Sequence, residues 1–237
     1  MGKENDVFDR LLSRGVSRRD FMKFSALMAT TLGLAPTMAP RIAEAVTSGQ
    51  RPSVIWLHFA ECTGCSEALL RSTYPWIDEL ILDILSIDYH ETIMAAAGHQ
   101  AEEVLQASMK ANKGKYICVI EGGIPTKNNG TYGMIGGRTM LEIAKEVTKD
   151  ALAVICIGSC SSFGGVQAAA PNPTGTKGVG EALGIKTLNI AGCPPNPANF
   201  VATLVHYLLL GNLPELAAVC RTLFAYGQTI SNNWPRR

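Results

Sequence analysis

The chain has 237 residues, of which 47% are hydrophobic and 17% charged, a balance typical of a globular protein with a buried core. Its 21 basic and 20 acidic residues nearly cancel, so nothing in the charge indicates nucleic acid binding. Seven cysteines are an odd number for a disulfide framework, and the chain is too long for a small disulfide-stapled scaffold. Once an N-terminal leader is set aside, about one domain of under 200 residues remains.

The first 49 residues have the features of an export leader. A paired arginine occurs in Ser17-Arg18-Arg19-Asp20-Phe21-Met22-Lys23, and a weakly apolar run follows from Phe24 to Met38. Ala43-Glu44-Ala45 supplies a cleavage site, with processing expected between Ala45 and Gly49. This order predicts a twin-arginine signal and export to the periplasm of a chain that folds first, often around a cofactor. The alternative interpretation is an amphipathic surface helix. A membrane-spanning helix is not expected, because the apolar run is shorter than the ~20 residues that span a bilayer.

From residue 50 onward, short apolar runs alternate with helical patterns, which predicts a parallel sheet covered by helices. The predicted strands are Ser53–His58, Asp83–Asp88, Tyr116–Glu121, Ala151–Gly158 and Lys186–Ala191. The predicted helices are Glu67–Arg71, Tyr74–Leu82, Gln100–Ala111, Thr139–Thr148 and Pro197–Leu210. The pattern favours a flavodoxin-like, doubly wound α/β fold that forms a single domain over residues 50–237.

The motif Cys62-Thr63-Gly64-Cys65 follows the first predicted strand and precedes a short helical segment. An α/β sheet places its chemistry at such a turn, because backbone N–H groups at the start of a helix are free there. A C-x-x-C pair alone is compatible with a zinc site, a redox-active dithiol or an iron–sulfur cluster.

Two further cysteines, Cys160 and Cys193, also come directly after predicted strands. The carboxyl ends of parallel strands open on one edge of a doubly wound sheet, so we expect Cys62, Cys65, Cys160 and Cys193 to converge. Adjacent glycines allow the backbone to approach a bulky inorganic group. Four thiolates suit a [4Fe–4S] cluster. Zinc is the alternative for four cysteines, but it usually binds closely spaced pairs on small knuckles.

Other side chains near this edge have simpler interpretations. Cys118 and Cys156 lie inside apolar strands and are expected to be buried core residues. His58 ends the first strand and is expected to form hydrogen bonds rather than to ligate a metal. Glu61 precedes Cys62, where a carboxylate is poorly placed merely to stabilise an anionic cluster. A proton-relay role would explain Glu61, and a surface carboxylate is the alternative.

Several segments together carry a family resemblance, namely Ser17-Arg18-Arg19-Asp20-Phe21-Met22-Lys23, Glu61-Cys62-Thr63-Gly64-Cys65, Glu121-Gly122-Gly123, Gly158-Ser159-Cys160 and Gly192-Cys193-Pro194-Pro195-Asn196-Pro197. At these residues the chain resembles the small subunit of a [NiFe] hydrogenase of the periplasmic uptake type, from about Val16 to the last residue. The related quinone-reductase subunit of respiratory complexes shares the fold but has two adjacent cysteines where this chain has C-x-x-C.

The resemblance implies that the four cysteines hold the proximal [4Fe–4S] cluster, the one nearest the Ni–Fe centre of a separate large subunit. It implies that Glu61 lies between the two centres and takes part in proton transfer. The chain would then pass electrons during reversible H₂ oxidation to a cytochrome or another acceptor, with any membrane association arising through its partners. The Ni–Fe ligands of the large subunit are missing from this sequence, so H₂ chemistry itself is expected on the partner chain.

The C-terminal segment departs from the family. Where family members have histidine and cysteine ligands of a distal cluster, this chain has Ser231 and Trp234. Serine is a poor iron ligand, and tryptophan offers no lone pair. At Arg237, family members usually continue into a second domain that supplies a medial cluster. The sequence therefore supports one proximal cluster and gives no support to distal or medial clusters.

Two rival functions remain from the sequence. The first is a degenerate or single-cluster partner subunit that kept the fold without catalytic activity. The second is a cysteine hydrolase with Cys160 as nucleophile. Such a nucleophile turn normally has glycine two residues after the nucleophile, where this chain has Ser162, and no histidine partner can be identified.

Overall fold

The computed structural model describes residues 17–47, 51–72, 85–228 and 230–233. The predicted helix Tyr74–Leu82 lies outside these ranges. The chain divides into two compact units: a sheet unit of residues 52–69 and 85–195, and a helical unit of residues 1–51, 70–84 and 196–237. The predicted boundary between leader and domain, near residue 49, stays a prediction.

The strands are β1 (Ser53–His58), β2 (Ser86–His90), β3 (Ile117–Glu121), β4 (Ile124–Pro125), β5 (Met134–Ile135), β6 (Arg138–Thr139), β7 (Ala153–Ile157), β8 (Thr176–Lys177) and β9 (Leu188–Ile190). The α-helices are α1 (Arg18–Thr31), α2 (Ala39–Thr47), α3 (Gly64–Leu70), α4 (His99–Ala111), α5 (Met140–Lys149), α6 (Gly158–Phe163), α7 (Val179–Leu183), α8 (Pro197–Leu210) and α9 (Leu223–Tyr226). Short 3₁₀ segments lie at 36–38, 127–130, 165–168, 218–220 and 230–233.

The sheet unit is built on five parallel strands in the order β2-β1-β3-β7-β9. This is the strand order of a flavodoxin-like, doubly wound fold, so the predicted fold class is confirmed. Every residue of β1 and β3 is buried, as expected for central strands of a parallel sheet with both faces covered. Two small antiparallel ribbons, β4 with β8 and β5 with β6, accompany the main sheet.

Strand boundaries differ from the predicted ones by a few residues. The second strand begins at Ser86 rather than Asp83 and continues to His90, because Tyr89 and His90 pair with β1 and are buried. The fourth long strand ends at Ile157, because Gly158 adopts a φ of +91° and turns the chain directly into α6. Each difference lies next to a residue of the site described below.

Local sequence signals set several helix ends. Thr139 and Glu142 form a capping box at the start of α5, with the Glu142 N–H donating to Thr139 Oγ1 at 3.1 Å. The Asn196 side chain caps α8 by accepting from the Ala198 N–H, and Gly211 ends that helix at a φ of +69°.

The helical unit contains α1, α2 and α8. Helix α1 packs against α2, and both pack against α8. No helix within the described ranges combines the length and hydropathy needed to cross a bilayer.

Candidate metal centre

Four cysteines lie just beyond the carboxyl ends of strands in the sheet unit. Cys62 and Cys65 belong to the turn between β1 and α3, Cys160 lies in α6 directly after β7, and Cys193 follows β9. The C-x-x-C turn contains a non-glycine residue of positive φ, Thr63 at +61°. Cys62 and Cys193 are exposed, whereas Cys65 and Cys160 are half-buried.

Hydrogen bonds join the Cys160 and Cys193 segments, and the Cys65 thiol lies against Gly158. The Ser159 N–H and hydroxyl both donate to the Gly192 carbonyl, at 2.7 and 3.1 Å, so the Cys160 and Cys193 segments are bonded to each other. A Cβ added at Gly158 would lie 2.5 Å from Cys65 Sγ. The absence of a side chain at Gly158 is therefore what allows the Cys65 thiol to sit against the start of α6.

The thiols are close enough to affect each other's ionisation. Burial raises the pKa of the Cys65 thiol, and the charges of Glu121 and of the thiolates of Cys160, Cys62 and Cys193 raise it further. Burial also raises the pKa of Cys160; a hydrogen bond from Gln167 opposes this rise, while neighbouring thiolates add to it. Four thiolates placed this close together repel one another, and a positively charged inorganic centre bound between them would relieve that repulsion. A crowded set of thiols of this kind is what an iron–sulfur cluster requires as its ligands.

The spacing of the sulfurs also bears on which centre fits. Among the described residues, one group of three potential metal ligands has its ligand atoms within 4.8 Å of one another. This group is His58, Glu61 and Glu121, and it contains no thiol. A single zinc ion with Zn–S bonds near 2.3 Å would place its sulfurs about 3.8 Å apart. No three thiols in the described part of the chain lie that close together, so the four cysteines do not match the tight sulfur spacing of a single zinc ion.

Glu121 holds the C-x-x-C turn in place. Its carboxylate is buried at the end of β3 and accepts from the Cys65 N–H at 2.9 Å, the Ser66 N–H at 3.1 Å and the Ser66 hydroxyl at 2.6 Å. The Trp56 indole N–H lies 3.4 Å from the same carboxylate. The free N–H groups expected at the start of α3 are thus bonded within the protein by a carboxylate, rather than left for a ligand.

We predict that Glu121→Gln weakens this turn. The amide supplies one acceptor oxygen where the carboxylate has two, and charge-assisted hydrogen bonds are the stronger kind, so the free energy of unfolding should fall by about 2 kcal/mol. Denaturant unfolding measures the change, with the exposed Glu103→Gln as the control. Equal midpoints for the two variants would show that the Glu121 carboxylate does not stabilise the turn.

Glu61 belongs to a buried polar network rather than to the exposed surface of the chain. Its side chain is 10% exposed, and Oε1 lies 3.2 Å from His58 Nδ1 and 3.1 Å from the Thr63 hydroxyl. Glu61 Oε2 is buried without a hydrogen-bond partner among the described residues. His58 Nε2 lies 3.4 Å from His90 Nδ1, and burial together with the charge of His58 lowers the pKa of His90 to about 4.

A second carboxyl group, that of Glu91, hydrogen-bonds to the His58 backbone. Burial raises the pKa of Glu91 to about 7, despite hydrogen bonds from the Tyr89 hydroxyl and the His58 backbone that favour its charged form. The charges of Glu102 and Glu61 contribute to the rise. Glu91 can therefore gain and lose a proton near neutral pH.

The remaining predicted residues are placed as follows. Cys118 and Cys156 are fully buried in β3 and β7, as expected. The groups that influence the Cys160 thiol are Gln167, Cys193, Cys62 and Glu61, and no histidine in the described part of the chain bonds to it, which argues against the hydrolase. Ser231 is exposed in the last 3₁₀ segment, and Trp234 lies outside the described residues.

Sequence reasoning gave no separate role to Glu121 or Gln167. An acidic residue at the end of an apolar strand was the available signal for Glu121. Gln167 lies in a 3₁₀ segment, where its amide donates to the Ala60 carbonyl at 2.9 Å and its Oε1 has no partner in the described structure. Nothing in the sequence around Gln167 indicates that contact.

A family model described as NADH ubiquinone oxidoreductase, 20 Kd subunit, matches residues 62–207. The periplasmic [NiFe] hydrogenase small subunit 1 of Nitratidesulfovibrio vulgaris is 53% identical, over 100% of this chain and 75% of that protein. The hydrogenase-2 small chain of Escherichia coli K12 is 47% identical, over 95% of this chain and 61% of that one.

Solved structures agree with these relatives. A chain of the [NiFeSe]-hydrogenase from Desulfomicrobium baculatum superposes with a TM-score of 0.73 at 34% identity, covering 78% of this chain and 74% of that one. The family model carries the name of a quinone-reductase subunit, whereas the relatives and the superposed structures are hydrogenase chains. Two periplasmic [NiFe] hydrogenase small subunits are 53% identical to this chain over 98–100% of its length, and this chain has the C-x-x-C spacing. The chain therefore belongs to the small subunits of [NiFe] hydrogenases.

Proposed function

We propose that this chain transfers electrons between the Ni–Fe site of a large subunit and an acceptor, such as a cytochrome, through one proximal [4Fe–4S] cluster. The observation that carries the proposal is the convergence of Cys62, Cys65, Cys160 and Cys193 at one edge of the sheet. The hydrogenase relatives support the same role.

When bound, the cluster would supply reversible one-electron transfer, which protein side chains cannot provide. The chain's own contribution would be to hold the four sulfurs in a fixed frame. Glu121 secures the turn that carries Cys65, and the bonds from Ser159 to Gly192 secure the segments that carry Cys160 and Cys193. A fixed frame limits the rearrangement that accompanies each electron transfer.

We propose a proton-transfer role for Glu61. Its Oε2 is the unsatisfied atom of a buried carboxylate, and a proton carrier needs one atom available to exchange the proton. Oε1 is held by His58 and Thr63, which keep the carboxylate oriented. Glu91, which hydrogen-bonds to the His58 backbone and has a pKa of about 7, can exchange a proton near neutral pH.

The large subunit would cover an apolar surface near this edge. Tyr132, Met134, Phe163 and Val166 are exposed, and Val166 keeps 83% of its surface in solvent. A soluble monomer rarely exposes large apolar side chains together, so these residues favour a permanent interface. Ile124, at the start of β4, is fully buried and does not contribute to that surface.

Reduction by H₂ tests the function directly. We expect H₂ to bleach the visible absorption of the purified two-subunit complex, because electrons from the large subunit reduce the cluster. The same complex kept under argon serves as the control and should keep its colour. A colourless chain that still binds the large subunit would support the non-catalytic partner function instead.

We also propose that residues 1–49 direct export to the periplasm through the twin-arginine translocon, carrying the large subunit along. The double variant Arg18→Lys, Arg19→Lys should leave folded precursor in the cytoplasm, because the translocon reads the arginine pair rather than its charge. Fractionation of cells followed by immunodetection measures the distribution. Normal periplasmic yield of the double variant would contradict the twin-arginine assignment.

A further inference from the structure

The described part of the proposed leader, residues 17–47, is folded as a helical hairpin. Helices α1 and α2, which we call the leader hairpin, are joined through Gly33 at a φ of +69° and a 3₁₀ turn that begins at Pro36. Ser17 caps α1 by accepting from the Asp20 N–H, so the arginine pair forms the first helical turn. The sequence of an export signal predicts an apolar run. In the structure, residues of that run form part of α1 and the 3₁₀ turn that follows it.

One side of the leader hairpin is buried within the helical unit. Phe21, Phe24 and Met28 of α1 and Ile42 and Val46 of α2 each keep 3% or less of their surface in solvent. Their spacing along each helix is that of a single apolar face. Both helices of the hairpin pack against α8, whose residues Phe200 to Val205 are buried.

The segments that the export machinery must use are differently placed. Arg18 and Arg19 are exposed on α1. The expected cleavage motif Ala43-Glu44-Ala45 lies inside α2, between the buried residues Ile42 and Val46. Proteases cleave extended, accessible backbone, so a chain in this conformation exposes the arginine pair but holds the Ala43-Glu44-Ala45 motif in a helix that resists cleavage.

We propose that the leader hairpin docks on α8 of the folded chain and blocks its own processing until the export machinery pulls it away. The proposal rests on the proposed export role of residues 1–49. Docking provides an order of events: the exposed arginines are recognised first, α2 is then unfolded, and cleavage between Ala45 and Gly49 follows. The docked hairpin meanwhile covers the apolar side of α8 during folding.

Hydrogen exchange on the purified full-length precursor tests the docking. In the wild type we expect the α2 amides to exchange at least about tenfold more slowly than unprotected amides. Met28→Asp places a charge at a fully buried position of α1 and should remove that protection. Met22→Asp is the matched control, because Met22 is on the same helix and is 41% exposed. Amides of β1 and β3, measured in the same experiment, report whether the sheet unit stays folded.

Cleavage by purified leader peptidase gives the functional readout. We expect Met28→Asp to be cut at least about tenfold faster than the wild type, since cleavage follows the population of the open form, while Met22→Asp is cut at the wild-type rate. Unprotected α2 amides in the wild type, or equal cleavage of both variants, would overturn the proposal. The exchange measured on the wild type tests the docking even if neither variant folds. The double lysine variant tests a different claim, because it should stop export while leaving the docked hairpin unchanged.

Discussion

Replacing any one of Cys62, Cys65, Cys160 or Cys193 with serine should abolish the brown colour of the purified chain and lower its iron content from about four atoms. In the proposed site each thiolate binds one iron of the cluster, and a serine hydroxyl is a poor iron ligand. Iron and sulfide analysis together with the visible spectrum measure the effect. A partial loss in one variant would identify the least essential corner.

The matched controls are Cys118→Ala and Cys156→Ala. Both residues are fully buried in strands of the same sheet unit, so these variants remove a thiol without approaching the site. They should lose some stability through the small cavities that they create, yet keep their iron. Retained iron in the four serine variants, with loss in the two alanine variants, would show that the ligand assignment is wrong.

Glu61→Gln should lower H₂ turnover steeply while the cluster and the two-subunit complex stay intact. The amide keeps the shape of the side chain but cannot carry a titrating proton, and general acid–base steps commonly contribute ~10²–10⁴-fold. H₂ oxidation and H/D exchange by the purified complex measure the loss. The absorption spectrum and the elution volume of the complex show whether cluster and assembly are preserved.

The control for this experiment is Glu67→Gln, which changes an exposed carboxylate on α3, a few residues from Glu61. Its activity should equal that of the wild type, because no proton passes through that side chain. If Glu61→Gln retained activity within about twofold of the wild type, the Glu61 carboxylate would have no part in proton transfer. A stable, cluster-loaded monomer would in turn contradict the need for a partner.

The parts of the fold that follow from local pattern were predictable. Alternating apolar runs and helical periods gave the parallel sheet, and the topology of such a sheet brings the ends of its strands to one edge. The approach of Cys62, Cys65, Cys160 and Cys193 therefore follows from their position after strands, although Cys65 and Cys160 are 95 positions apart in the sequence. For the same reason Cys118 and Cys156, within strands, could be assigned to the core.

Contacts made across the fold were not predictable in the same way. The bond from the Cys65 N–H to Glu121 spans 56 residues, and nothing local to either residue encodes it. Gln167 meets Ala60 across 107 residues. The apolar face of α1 is compatible with a membrane-bound receptor and equally with a protein surface, because both present hydrocarbon to the same side chains. Only the three-dimensional arrangement distinguishes them.

The exposure of Cys62 and Cys193 makes these two thiols open to oxidation in a subunit that has not yet bound its partner. Solvent-accessible thiolates and cluster edges react with oxidants, whereas half-buried sulfurs such as those of Cys65 and Cys160 are partly shielded. An unpaired subunit is thus most vulnerable to oxygen at the two corners that face solvent. If the subunit pairs in the reducing cytoplasm before the export proposed above, the large subunit would cover those corners before they reach a more oxidising compartment.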